Sequence, residues 1–356
     1  MHKEWSNLDS WFVSQKSSAE QLSLKSARNA IDQKTKPPGS LGQLELLAAQ
    51  LAMLQNSLKP VVDPARIVVF AGDHGITAEG VSAFPAEVTA QMMSNFAGGG
   101  AAVCVLSAAN SVGVEVVDVG VNANLSGIDT IVHASIARGT RNYFLEAAMS
   151  VDECEAAKAV GQAAVTRAVD DGVVCLGLGE MGIGNSTSAA AIIAMLLDIP
   201  ANEITGRGTG VDDAVLLHKT QIVQQSINLH RPACTNSMSV LRHVGGFELA
   251  AIVGAMIEAS RISLPVLVDG FISTAAALVA VRHDASVRRV LIFSHQSAEA
   301  GHGRVLEALD ANPLLKLSMR LGEGSAAALA LPLLRAAAAM LSGMSTFAEA
   351  GVANSQ

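Results

Sequence analysis

The sequence predicts an α/β protein with a six-stranded, mostly parallel sheet between layers of helix. Six short β-rich apolar runs lead there, at 67–70, 112–119, 173–178, 265–268, 290–293 and 314–319. They are near-continuous rather than alternating, the pattern of strands buried on both faces. Ala-rich helical periodicity fills the intervals, and alternating strand with helix implies right-handed crossovers in one sheet. Composition agrees: of 356 residues, 50% are hydrophobic and only 16% charged, so the chain has a large core to bury.

The first 62 residues differ, with more charge and no strand-like run. They read as two helices, about 17–33 and 40–57, split by Lys36-Pro37-Pro38-Gly39-Ser40 with Ser40 as cap of the second. From there strand and helix alternate. Helices at about 86–108, 152–170 and 187–198 follow the first three strands. Two more, near 211–228 and 247–261, occupy the long gap before the fourth strand. Helices near 273–282, 299–310 and 324–342 follow the last three strands, and the segment after Gly343 is helical or loose. The layout is Rossmann-like. It divides into an α/β domain over 63–342 and a small helical domain made of 1–62 together with 343–356.

Charge and composition exclude several classes of partner. Lys and Arg number 24 against 32 Asp and Glu, a net charge of −8, with a pI near 5.6 and mean hydropathy of +0.37. An acidic chain with no basic run is unsuited to nucleic acid or to an anionic membrane surface. Aromatics at 3% are too few for base-stacking platforms. The longest apolar stretch, 326–334, stops at Arg335, short of the roughly 20 residues a spanning helix needs. The start has no apolar signal-peptide run. Cys104, Cys154, Cys175 and Cys234 are scattered without a C-x-x-C pair, and H-E-x-x-H is absent. Reduced thiols in a cytoplasmic protein, and no metal site, are expected.

Ligands of open parallel sheets bind beyond the carboxyl ends of the strands. The six runs are followed by Gly72-Asp73-His74-Gly75, Gly120-Val121-Asn122, Gly179-Glu180-Met181-Gly182, Asp269-Gly270, Ser294-His295-Gln296-Ser297 and Arg320-Leu321-Gly322-Glu323-Gly324-Ser325. Any one alone reads as an ordinary turn. Six small-and-polar clusters at the same topological place read as one site.

The stretch Gly177 to Gly182 fits G-x-G-x-x-G between a strand and a helix, the fingerprint of a dinucleotide site. Two features oppose that. Glu180 sets a carboxylate in the turn that should receive a pyrophosphate, and 201–206 supplies no second strand ending in an acid for a ribose. A Gly-rich turn opening a helix at Asn185 still suits a smaller anion, through free N–H groups and the helix dipole.

Glu323 lies between two glycines at the head of an Ala-rich helix. Taken alone, it is a helix-N-terminal acid that favours the dipole. Glycine on both sides opens it to a ligand, and with Glu180 it makes a pair of carboxylates suited to acid–base work. His74 and His295 are ligand or base candidates, though a His in a Gly-rich turn is more often a hydrogen-bonded loop residue. Arg207, Lys219 and Arg320 are the basic candidates, and Arg320 at a strand end is best placed for phosphate. No Walker loop and no G-x-S-x-G elbow occurs, which disfavours the common triphosphatases and α/β hydrolases. A dinucleotide-dependent oxidoreductase and a non-catalytic nucleotide-binding regulator are the rival readings of such a fold.

Seven stretches together resemble the nicotinate-nucleotide–dimethylbenzimidazole phosphoribosyltransferase family of cobalamin lower-ligand assembly. They are KPPGSLGQLE (36–45), FAGDHGITAEGVSAFPAEVTAQM (70–92), GLGEMGIGNST (177–187), GGFELAAI (245–252), PVLVDGF (265–271), SHQSAEAG (294–301) and MRLGEGSAAALALP (319–332). Segments 121–150 and 206–218 carry no such motif. The resemblance implies a six-stranded parallel sheet with a helical bundle from both chain ends, in a homodimer. It also implies transfer of the 5-phosphoribosyl group of nicotinate mononucleotide to dimethylbenzimidazole with anomeric inversion. That reaction needs no cofactor and no metal. Glu323 would be the general base. Glu180 would border the base pocket or ribose. Gly182, Gly184, Asn185 and Ser297 would line the phosphoribosyl site, with Arg320 and Lys219 nearby. Phe84, Gln91 and Leu321 would wall the aromatic acceptor, with Gly322 beside them.

Overall fold

The computed structural model describes residues 2–12 and 22–353. Six parallel strands form one sheet: β1 (Ala65–Gly72), β2 (Gly113–Gly120), β3 (Val132–His133), β4 (Cys175–Met181), β5 (Val266–Val268) and β6 (Leu291–Phe293). Their order is β3-β2-β1-β4-β5-β6. The chain builds outward from β1 to β3, then returns to lay β4 beside β1. That reversal opens a crevice at the carboxyl ends of β1 and β4, the place where such sheets bind ligands. All of β4 is buried, as are the last six residues of β1. This is the burial that continuous apolar runs predict.

The strand count holds, but one member differs from the sequence reading. The run 314–319 is not a strand: it meets the sheet only at a single bridge, His295 to Leu315. Leu317 is exposed there and Ser318 takes a left-handed φ of 56°, so the chain bends where a strand must stay extended. The sixth strand is instead the two-residue edge β3, which pairs Val132 with Val117 and has no apolar run to announce it. Arg320 therefore does not stand at a strand end.

Among the described residues fourteen α-helices occur. Those of the N-terminal segment are α1 (His2–Phe12), α2 (Leu24–Asp32) and α3 (Gln43–Leu54). The first is not foreseen by the sequence pattern, and residues 17–21 of the predicted first helix lie outside the described residues. Ser40 does not cap α3. Gly42 does, without a side-chain bond, while Ser23 caps α2 by accepting from the Ser26 N–H. In the KPPGSLGQLE stretch Lys36 Nζ stands 2.8 Å from Glu45 Oε1, both buried, so those residues serve folding rather than chemistry.

The predicted helix 86–108 is two, α4 (Val88–Ala97) and α5 (Ala102–Ala109), broken at Gly98-Gly99-Gly100, where Gly99 has φ 75°. Then come α6 (Val151–Asp170), α7 (Asn185–Leu197), α8 (Asp213–His230), α9 (Ser237–Val244), α10 (Phe247–Arg261), α11 (Phe271–His283), α12 (His302–Ala308), α13 (Ser325–Gly343) and α14 (Phe347–Ala350). Only α9 among these has no counterpart in the sequence reading; Asn236 starts it with a capping box.

Two segments, Val88–Ala109 and Ser325–Gly343, are long and apolar enough to cross a membrane by length and composition. The first is the broken α4–α5 pair. The second, α13, packs on β4, β5, α3 and α5, with most of its apolar residues buried. Near the C-terminus, the Phe347 N–H donates to the Gln33 carbonyl and Lys34 Nζ to the Met344 carbonyl, so the segment after α13 docks on the turn that follows α2.

Candidate active site

A cavity of about 250 Å³ lies beyond the strand ends, lined by residues of β4, the start of α7, the β5–α11 turn and the Arg320–Gly322 segment. Four glycines let its floor form. An added Cβ on Gly179 would stand 2.3 Å from the Gly324 nitrogen, and one on Gly182 would stand 2.2 Å from the Gly72 carbonyl oxygen. Backbones therefore touch where β4 meets β1 and the Gly322–Gly324 turn. Gly322 and Gly324 adopt φ of 86° and 82° around Glu323 at 63°, three left-handed residues in succession, of which only glycine takes the conformation freely. The G-x-G-x-x-G glycines thus serve close packing, and the carboxyl of Glu180 sits inside their turn rather than a pyrophosphate.

Burial, helped by neighbouring negative charge, raises Glu180 and Glu323 in the crevice. Glu180 is buried, accepts from Asn185 Nδ2, and is held well above the usual carboxylate range, first by burial and then by Asp269, Glu248 and Glu323. Both causes favour the neutral form of the carboxyl over the charged one. Glu323 is pushed up to about 7, chiefly by burial and then by Asp269. It is 7% exposed, next to cavity-lining Gly322, and no described residue donates a hydrogen bond to it. It lies toward α5 as well, where its charge adds to burial in raising the Cys104 thiol. A carboxylate with a free lone pair and a pKa near neutrality is poised to take a proton.

The opposite corner is cationic. Lys219, 1% exposed on α8, reaches Ser186 Oγ at 2.9 Å near the head of α7. Burial pulls its ammonium down to about 8, and Glu299 opposes that shift. One protein hydrogen bond leaves two of its three donors for a ligand. Arg320 donates to the Gly208 carbonyl at 2.8 Å. Ser297 Oγ donates to the Met319 carbonyl, and the Ser297 N–H donates to His302 Nδ1 at 2.8 Å. Lysine, arginine and a helix N-terminus are groups that suit an anion, and the Glu299 carboxylate stands among them.

Of the residues expected from sequence, Phe84, Glu180, Asn185, Ser297, Arg320, Leu321 and Gly322 line the cavity. Four others are not in the lining: Glu323 and Gly184 adjoin lining Gly322 and Asn185 in the chain, Lys219 bonds lining Ser186, and Gly182 packs on the Gly72 carbonyl. Gln91 does not join them: it is exposed on α4, outside the lining. Arg207 is spent on Asp213 and the Val211 carbonyl. His74 is buried between Glu248 Oε1 at 2.7 Å and Ser188 Oγ at 3.1 Å, a packed network below the cavity. His295 does line the cavity; burial lowers it to about 4, so it is neutral, and its Nδ1 has no partner. Sequence reasoning named Ser186 only as part of the helix opening at 185–187, and missed Gly208, Thr209, Ile272 and Glu299. Thr209 Oγ1 meets Ser82 Oγ and accepts the Ala83 N–H, joining two loops over 120 residues apart, and no local pattern signals such a contact.

Fold and site define an α/β protein with a raised carboxyl group and a lysine–arginine corner around one small cavity at the switch point of a parallel sheet. Comparison with known proteins makes the class specific. Residues 17–352 match the family described as phosphoribosyltransferase, and the chain belongs to the nicotinate-nucleotide–dimethylbenzimidazole phosphoribosyltransferase family. The enzyme of that name from Chromobacterium violaceum is 50% identical over 333 residues, covering 92% of this chain and 96% of the relative. The one from Pseudomonas fluorescens is 46% identical over 346 residues, covering 97% and 99%. The crystal structure of CobT from Thermus thermophilus superposes with a TM-score of 0.90 at 44% identity, covering 93% and 99% of the two chains.

Proposed function

We propose that this enzyme transfers the 5-phosphoribosyl group of nicotinate mononucleotide to 5,6-dimethylbenzimidazole, releasing nicotinate and α-ribazole 5′-phosphate in the lower-ligand branch of cobalamin synthesis. The observation that carries the reading is the unbonded Glu323 carboxylate, poised near neutrality across from the Lys219 corner, in a chain of this family. Lys219, Arg320 and the α7 N-terminus hold the phosphate. The attacking benzimidazole nitrogen bonds to the anomeric carbon as the bond to the pyridinium nitrogen breaks. That electron pair returns to the nicotinate ring, which leaves neutral at nitrogen and needs no acid. The other benzimidazole nitrogen gives its proton to Glu323. Positive charge gathers on the ribose in the transition state, and Glu323 stabilises it electrostatically. Glu180 borders the acceptor. Phe84 and Leu321 supply apolar wall for a flat ring, and Gln91 would reach that ring only if α4 closes over it.

Incubation with both substrates tests this. Nicotinate should appear in step with benzimidazole consumed. Tight NAD binding without response to the benzimidazole supports the oxidoreductase alternative and overturns the transferase, and binding of the mononucleotide without turnover supports a regulator. The pH profile follows from Glu323. Its proton must be absent for it to act, so kcat/KM should fall about tenfold per unit as pH drops below about 7. A profile flat down to pH 5 removes Glu323 from the role.

We further propose a closed two-fold homodimer. Val105, Leu145 and Leu217 are 58%, 71% and 63% exposed, apolar side chains of the kind a homodimer interface covers. Light scattering should give about twice the 36.6 kDa chain mass, not that mass itself. The helices α1, α2 and α3, with the described residues after Gly343, form a helical annex on the α/β body in this reading, and the free thiols support a cytoplasmic location.

A further inference from the structure

Glu323 stands in an unfavourable conformation at the head of a helix whose N-cap, Gly324, has no side chain to cap with. Something must satisfy the first-turn N–H groups of α13 and hold the three left-handed residues in place. Asp269, directly after β5 and 1% exposed, does both. Its Oδ1 accepts the Ala326 N–H at 2.7 Å and the Ala327 N–H at 3.1 Å, and its Oδ2 accepts the Gly324 N–H at 3.1 Å. The Ser325 N–H goes to the Gly322 carbonyl at 3.1 Å, which completes the turn. On the far side, the missing Cβ of Gly179 lets β4 press against the same backbone. The turn is thus clamped between two neighbouring strands, by contact from β4 and by three charge-assisted hydrogen bonds from β5.

We propose that Asp269 is the positioning residue for Glu323: its carboxylate caps α13 from another strand, fixes the Gly322–Gly324 turn, and sets a second negative charge facing the base. The proposal rests on Glu323 being the base. The groups facing Glu323 are Asp269 from β5, Glu180 from β4 and Cys104 from α5. Asp269 itself faces Glu180 and the α13 N–H groups. Asp269 is the charge, after burial, that raises Glu323. Even though burial lifts Asp269 to about 6, it is mostly ionised at pH 7. An amide in its place keeps the size, removes the charge, and turns an NH2 toward an N–H that needs an acceptor.

The test is Asp269→Asn, with Asp269→Ser as a second variant that still accepts one backbone N–H should the first not fold. Melting temperature and circular dichroism establish the folded fraction, and rates are expressed per folded enzyme. Turnover of nicotinate mononucleotide with dimethylbenzimidazole should fall roughly tenfold to a hundredfold, the cost of a misplaced catalytic group. KM for the mononucleotide should stay within a factor of about two to three, because the Lys219 corner is untouched. The acid limb of kcat/KM should move to lower pH, since removing a neighbouring negative charge lowers the pKa of Glu323. A purely structural cap lowers the melting temperature alone. A folded variant with turnover within about twofold of the parent, or with its acid limb unmoved, overturns the proposal. If the parent protein itself releases no nicotinate from these substrates, the transferase reading has failed and not the role of Asp269 in holding the turn.

Discussion

Glu323→Gln should lower turnover roughly 100-fold or more, the range for loss of a general base, while nicotinate mononucleotide affinity changes little. The variant keeps size and removes the lone pair that accepts the proton. Stability separates this from a helix-end acid. An exposed acid favouring the dipole contributes roughly 0.3–1 kcal/mol, so its loss lowers the melting point at every pH above its ionisation. Glu323 has the opposite sign. Its folded pKa of about 7 lies above the usual 4.5, so the folded state holds the proton more tightly than the unfolded chain. The parent then loses stability as pH rises from about 4.5 to 7, and the neutral amide escapes that loss. Glu323→Gln should therefore melt at or above the parent at pH 8. Calorimetry that shows a lower melting point at pH 8 together with near-normal turnover returns Glu323 to a structural role and moves the base to His295.

Lys219→Met should raise KM for nicotinate mononucleotide roughly tenfold to a hundredfold, because a hydrogen bond to a charged group contributes about 1.5–3 kcal/mol. Turnover at saturation should change far less. The side chain is almost wholly buried and bonds only Ser186, so an apolar replacement of similar length relieves desolvation in the empty enzyme. The sign follows from the shift. A folded pKa of about 8 against the usual 10.5 means the folded chain binds that proton less tightly, and parent stability rises as pH climbs between them. At pH 7 the variant should melt at or above the parent. Unchanged KM in steady-state kinetics puts the phosphate elsewhere, on Arg320 or the α7 N-terminus alone.

Much of this was legible in the sequence for identifiable reasons. Strands buried on both faces leave continuous apolar runs, so β1, β4, β5 and β6 stand out at nearly their observed places. The same rule misled at 314–319, where apolar residues line a bent connector, and it is silent at β3, two residues recruited by β2. Glu180 and Glu323 were legible because glycines flank them, and glycine there answers a close backbone approach between β4 and its neighbours. The Lys219–Ser186 contact, the Glu299 wall and the Asp269 clamp are long-range meetings. Each residue alone looks like a solvated helix lysine, a loop acid or a turn aspartate, and only the sheet order brings them together. Gln91 shows the limit from the other side: it belongs to a motif that matches the family, yet its side chain stands outside the cavity lining.

The central claim is one direct displacement at the anomeric carbon with Glu323 taking the proton. Proton NMR of the ribosylated product tests it most directly, because the anomeric configuration records how the bond was made. Single displacement from the β-linked mononucleotide gives α-ribazole 5′-phosphate alone, in equal amount to free nicotinate. A β-linked product, or ribose 5-phosphate released with no benzimidazole consumed, contradicts it.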